Sequence, residues 1–415
     1  MGWIMRRGTA CAIAFLVTLD LVCPAAPAAD ATVKARLQHL LDDYVAQRSE
    51  AEGISGVALR ADLGARRQTI AVFSGTDGLP DKKPLGPETL FQIGSNTKHF
   101  TAALILKLEA MGKLDIHQTV GQWLPQYRAW RDKSIQSLLN MTSDIPNYSE
   151  TQEIGGKVAA DIHHQFTPQD LIAAVDPEQG RELVSSSGWF YSNTNDILAG
   201  LIIERASGMP YGTALQKLIL EPLHLWETFY SDSAYPRAVL QHVPRALYEN
   251  EDCLLYQPKP CARSTLAPLI GQDMRMQNLS WAGAAGAIIA TPRDLDRWIR
   301  DLFSLRVFSK KQLDEMTSMV SEKTGLPIRE VSADDPSGFG LNLARKYAPE
   351  PGGAFWFYQG TTLGFRAIFA YWPQHDLVIT AVTNSQPRTG EDQFGGTVVN
   401  GALRLLLDTG QLRAN

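Results

Sequence analysis

Strand-forming sequence is confined to the two ends of this chain, and that distribution restricts the fold more than any other feature. Near the N-terminus, GISGVALRAD and RQTIAVFSG are short, β-branched and aromatic-rich runs. Near the C-terminus, GGAFWFYQG, GFRAIFAYW and DLVITAVTN repeat the pattern, the last two joined by the turn residues PQHD. From about residue 95 to 325 the apolar spacing is mostly helical, punctuated by Gly and Pro as in AMGKLD, RASGMPYG and IATPRDLDRWIRDLF. A sheet whose strands come from both ends has to bring those ends together. The expected fold is therefore α/β of the α+β type: a mainly antiparallel sheet from about residues 30–90 and 335–415, flanked by N- and C-terminal helices, with an α-rich region over about 91–334 inserted in it.

The helix expected first lies in ATVKARLQHLLDDYVAQR, where Val33, Leu37, Leu40, Leu41 and Tyr44 recur at helical spacing. Ahead of it, residues 1–28 have the three parts of a secretory signal: Arg6 and Arg7, the apolar run TACAIAFLVTLDLVC, and the small-residue end PAAPAAD with cleavage expected after Ala28. A retained anchor is disfavoured because the run is short and carries Asp20. The expected location is secreted or periplasmic, with no stable membrane span after cleavage. In that setting Cys253 and Cys261, eight apart in the Pro-rich EDCLLYQPKPCARS, are expected to form a disulfide. The composition, 44% hydrophobic and 20% charged with a net charge of −5, is ordinary for a globular core and points to no nucleic-acid or anionic-membrane partner.

Three stretches carry candidate chemistry. In FQIGSNTKHFTAALILKLEAMGKLD, Ser95 and Lys98 open a run in which Phe100, Ala103, Leu104, Leu108 and Met111 mark a buried helix face ending at Gly112. A spacing of three stacks the lysine over the serine. A serine hydroxyl needs an adjacent base, and a lysine desolvated at a helix N-terminus loses proton affinity. A helix cap followed by a solvated lysine explains the same four residues, so the motif alone decides nothing. In FYSNTNDILAGLIIERASG, Tyr191 and Asn193 precede a helix bearing Ile197, Leu198, Leu201 and Ile202. A tyrosine beside a lysine can share its proton, and an amide can hold both a substrate amide and the lysine. In FWFYQGTTLGFRAIFAYW, a strand carries Tyr358, Gln359, Gly360 and Thr361; the glycine lets a substrate backbone lie close, and Thr361 can offer its N–H to an oxyanion.

Taken in this order, the motifs resemble those of the penicillin-recognising serine hydrolases, the group of class C β-lactamases, D-alanyl-D-alanine carboxypeptidases and related esterases. The likeness extends to IQSLLNMTSDIPNY, GAAGAIIATPRDLDRW and AVTNS and covers nearly the whole chain after the signal. It implies a β-lactamase/transpeptidase-like fold, with Ser95 as acylated nucleophile and Lys98 and Tyr191 as its proton-handling partners. Asn193 would contact the substrate amide, and the backbone N–H groups of Ser95 and Thr361 would form the oxyanion hole. Tyr148, Tyr358, Gln359 and Gly360 would border the substrate, with Trp189 and Trp356 as further candidate walls. The implied two-step acyl transfer uses no metal or organic cofactor, and its partner is a small-molecule or peptide substrate.

Two departures matter. Relatives begin the third motif with Lys or His, where this chain has Tyr358, so a cation for a substrate carboxylate is absent unless Arg366 supplies one. Asp144, in TSDIP, stands where relatives have glycine, and Asn140 and Met141 also differ. A peptidase or esterase is favoured; a true β-lactamase and a non-catalytic cell-envelope binding protein are the alternatives. No serine sits in a G-x-S-x-G elbow, and His163 and His164, adjacent in DIHHQFTP, read as a loop rather than metal ligands.

Overall fold

The structure is a computed structural model describing residues 26–175, 188–250, 263–349, 352–386 and 394–412. The expected disulfide Cys253–Cys261 and nearly all of the expected signal segment lie outside these residues.

Nine strands form one antiparallel sheet in the order β2-β1-β12-β11-β10-β9-β8-β6-β7. The N-terminal hairpin is β1 (Gly56–Leu63) and β2 (Gln68–Gly75); the C-terminal strands are β10 (Phe355–Thr362), β11 (Phe365–Trp372) and β12 (Leu377–Thr383). Short strands β6 (Met319–Ser321), β7 (Pro327–Ile328), β8 (Ser337–Phe339) and β9 (Ala344–Lys346) complete the far edge. The C-terminal part of the sheet therefore begins at Met319, earlier than the residue 335 expected from sequence, because β6 and β7 are too short to show a period. The two chain ends meet where β1 pairs β12, with Val57 opposite Thr383 and Leu63 opposite Leu377. PQHD turns as expected, with Asp376 at φ 47° closing it.

Strand β12 explains itself through the period of two. Leu377, Ile379 and Ala381 face one apolar cluster, while Val378 and Val382 face another. The first is shared with Val33, Leu37 and Leu41 of helix Ala26–Glu52 and with Leu403 and Leu406 of helix Asn400–Asp408. The second is continuous with the α-rich region, including helices Lys98–Ala110 and Asn193–Ser207. Burying each such Leu or Ile contributes roughly 1.5–3 kcal/mol, so sheet and helices stabilise one another through this shared core. Met111 is the exception on its helix: the helix ends at Ala110 and Met111 stands exposed.

A second, three-stranded sheet joins β3 (Phe91–Gln92), β5 (Ile289–Ala290) and β4 (Thr228–Phe229) in the order β3-β5-β4. It brings residues just before Ser95 beside those just after Gly286, with the Ile93 N–H donating to Ile288 O at 3.0 Å.

Candidate active site

Ser95 sits in a tight 3-10 turn, Gly94–Thr97, that runs directly into helix Lys98–Ala110. The turn is tied across to β11 by Asn96, whose Nδ2 donates to Ala367 O at 2.9 Å and to Ile93 O at 3.1 Å. Strand β10, in which Gly360 pairs with Ala367, presses on the turn beside that tie. A Cβ on Gly360 would stand 1.9 Å from Ile93 O and 2.8 Å from Ser95 N, and one on Gly94, at φ 53°, only 2.6 Å from Thr361 N. The two glycines thus let the backbone amides of Ser95 and Thr361 meet at one junction.

Lys98 is completely buried and its Nζ donates to Ser95 Oγ at 3.1 Å, Asn193 Oδ1 at 2.7 Å and Ala285 O at 2.7 Å. These acceptors match the three N–H bonds of an ammonium. Burial nevertheless pushes its pKa down to about 8, against the opposing pull of the Asp196 carboxylate. The Tyr191 hydroxyl donates to Ser95 Oγ at 2.9 Å, and its ring lies 5.0 Å from Lys98 Nζ. Ser95, Lys98, Tyr191 and Asn193, far apart in sequence, therefore share one hydrogen-bonded cluster. Asn193 opens helix Asn193–Ser207, and its Nδ2 donates to Ser149 Oγ at 2.8 Å.

His99, next to Lys98, takes no part. Burial and the neighbouring lysine hold its pKa down to about 3, and Trp298 Nε1 donates to its Nδ1 at 2.7 Å, so it is a neutral core side chain.

At the third motif, β10 continues past the end of β9, which pairs only with Phe355–Phe357. Gln359 and Thr361 are half-buried, and Gly360 is buried against the Ser95 turn. Tyr358 is only 4% exposed, its ring edge-on to His99 at 6.1 Å and tilted against Phe339 at 6.0 Å. Trp189, half-buried, meets Phe339 at 5.5 Å.

Four expectations need correction, the first being Tyr358, whose buried ring packs on His99 and Phe339 where a side chain bordering the substrate was expected. Tyr148 is fully buried with its hydroxyl donating to Trp281 O at 2.7 Å, so it packs beneath the site instead of bordering a substrate. Trp356 is likewise buried, under the guanidinium of Arg345 at 4.9 Å. Arg366 does not replace the missing cation: it is completely buried on the far face of the sheet, paired with Glu52 and donating through Nε to Ser385 O at 2.9 Å. Asp144, at the position where glycine was expected, is held at φ 58°, a left-handed backbone that glycine adopts more easily. No cluster of metal-binding side chains occurs among the described residues.

Three contributors escaped the sequence reading. Ala285 acts through a backbone carbonyl, which no side-chain pattern reveals. Asp196 and Asn342 are buried polar groups beside the lysine. Asp196 left one signal, a carboxylate three residues after Asn193 in an otherwise apolar helix face.

Among solved structures, the chain resembles a D-stereospecific amidohydrolase from Streptomyces sp. with TM-score 0.69 and 27% identity, covering 89% of this chain and 98% of that one. It shares its fold with the D-amino acid amidase of Ochrobactrum anthropi SV3, at TM-score 0.71 and 23% identity over 92% and 99% of the two chains. Penicillin-binding protein 4* of Bacillus subtilis is 35% identical over 152 residues and Esterase EstB of Burkholderia gladioli 28% identical over 206. These matches take in 36% and 46% of this chain but only 32% and 50% of the relatives' own lengths. Residues 41–403 match the family model described as Beta-lactamase, and the two-part fold around Ser95 agrees with it: the chain belongs to the β-lactamase family.

Proposed function

We propose that this chain is an exported serine hydrolase that cleaves an ester or amide through an acyl-enzyme on Ser95, most nearly an esterase or peptidase. The observation that carries this is the placement of two proton-handling groups on one hydroxyl: Lys98 Nζ at 3.1 Å and Tyr191 OH at 2.9 Å from Ser95 Oγ. As Oγ attacks the carbonyl carbon, its proton passes to neutral Lys98, whose ammonium then has Asn193 Oδ1 and Ala285 O as further acceptors. The oxyanion forms against the amides of Ser95 and Thr361, and the phenol of Tyr191 protonates the leaving group. The proton held by Lys98, whose Nζ lies beside the Tyr191 ring, then returns to the Tyr191 phenolate; in the second step the same pair takes a proton from the attacking water and gives one to Oγ as the acyl group leaves.

The buried Tyr358 in place of a cation favours substrates without a carboxylate at that point, which argues for neutral esters and amides over penicillins. The names of the amidohydrolase and esterase relatives agree with an amide or ester as the bond cleaved. Export rests on the residue 1–28 pattern.

Intact-protein mass spectrometry after incubation with a penicillin, run beside release of nitrophenol from a p-nitrophenyl ester, tests the proposal. Ester turnover that disappears in Ser95→Ala is the expected result. A stable penicillin adduct on Ser95 indicates a penicillin-binding peptidase, rapid penicillin hydrolysis a true β-lactamase, and inertness to both a binding protein. For the specificity, Tyr358→His is expected to raise turnover of carboxylated over neutral esters; an unchanged ratio removes Tyr358 as the cause.

A further inference from the structure

Beneath the serine and its lysine lies a second polar layer. Asp196 and Asn342 are almost wholly inaccessible, at 1% and 0% exposure. Asn342 Nδ2 donates both to Asp196 Oδ1 at 2.7 Å and to the backbone carbonyl of Lys98 at 3.1 Å. Asn342 is itself fixed: it sits at φ 54° with its N–H donating to Leu139 O at 2.8 Å. Asp196 stands one turn along from Asn193, whose Oδ1 holds Lys98 Nζ. One amide thus clamps a carboxylate and the lysine's own backbone together.

That carboxylate is unusual in being incompletely satisfied. Among the described residues, Asp196 Oδ2 and Asn342 Oδ1 are buried without a hydrogen-bond partner, a costly state that a purely structural residue would not need. An apolar side chain would fill the same helix face, as Ala199 and Ile203 do one and two turns along. The Asp196 carboxylate in turn adds to the rise that burial imposes on the buried phenols of Tyr148 and Tyr211, and among the described residues Lys98 is the cation that acts on Asp196.

We propose that Asp196 is a positioning residue for the acyl transfer: it is the buried counter-charge of Lys98, aimed by Asn342, and its ionisation governs when the lysine can take the proton of Ser95. This rests on the acyl-enzyme reading for its catalytic meaning, although the charge coupling itself exists in the resting protein. Burial pushes the Asp196 carboxyl up to about 7 while Lys98 opposes the rise, so both groups change charge in one narrow pH range. Removing the carboxylate leaves desolvation unopposed at Lys98, and the lysine then loses its proton at lower pH.

The test is a titration of protein carrying 13C-labelled lysine, the Lys98 signal being assigned by its loss in Lys98→Arg. Asp196→Asn keeps the shape and removes the charge; Asn342→Gly keeps the left-handed backbone and removes the clamp. The Lys98 midpoint is expected to fall by at least half a unit in Asp196→Asn and by less, in the same direction, in Asn342→Gly. The acid limb of kcat/KM for a p-nitrophenyl ester should move with it. Unchanged midpoints overturn the proposal, and so does failure of both variants to fold, which would make the pair scaffolding. Shifted midpoints in a protein whose ester turnover survives Ser95→Ala would uphold the coupling while removing the acyl-enzyme reading.

Discussion

Replacing Gly360 by alanine puts the geometry of the nucleophile to its most direct test. The added Cβ would lie 1.9 Å from Ile93 O, 2.8 Å from Ser95 N and 2.8 Å from Asn96 Nδ2, where ordinary contact begins at 3.4 Å. Strand β10 and the Ser95 turn must therefore separate by about 1.5 Å, the shortfall at the closest atom. Misplacing a reacting group by about 1 Å costs roughly 10²-fold in rate, and losing one oxyanion donor roughly 10²–10³-fold. The expected fall in kcat/KM is thus about 10²–10³, or about 3–4 kcal/mol of transition-state stabilisation. Rapid-quench measurement of the acylation burst with a p-nitrophenyl ester reads it, beside the thermal melt of the same sample. Gly396→Ala is the control: nothing lies within 4 Å of a Cβ there, so activity should match the unaltered protein. A folded Gly360→Ala variant within threefold of the parent kcat/KM would refute the idea that backbone proximity at this junction drives the chemistry.

Acylation should depend on the neutral form of Lys98, so its rate is expected to rise with pH through about 8 and to fall tenfold per unit below, as stopped-flow pH profiles would reveal. Asn96→Ala removes a buried amide joining Ile93 O to Ala367 O and should lower stability by about 2–3 kcal/mol in urea titration, with Ser95 acylation slowed in the folded fraction. Asp144→Gly relieves a left-handed residue at φ 58° and gives up an exposed ion pair to Lys133 at 3.8 Å. A stability gain of up to about 1 kcal/mol is expected, since such a pair contributes little, and a measurable loss would show that the side chain matters more than the backbone.

The amino-acid sequence by itself determined the parts that are local. Period-two strands at both ends, a helix face after Ser95 and the three short motifs each reside within a few consecutive residues, where side-chain direction follows from the backbone period alone. Ser95, Lys98, Tyr191 and Asn193 were legible for that reason, and the structure brings them together. Only the tertiary structure decided what joins distant segments. The carbonyl that receives Lys98 lies 187 residues away, Asn342 reaches Asp196 across 146, and Arg366 finds Glu52 across 314. Burial then sets the chemistry: the same lysine in water would stay protonated well above neutrality, whereas desolvation under the sheet brings its pKa down to about 8. Pairing with Glu52 of the N-terminal helix removed Arg366 from the site and core packing removed Tyr148, because a side chain's partner in a folded chain is set by which face it buries, a property that no short stretch of residues contains.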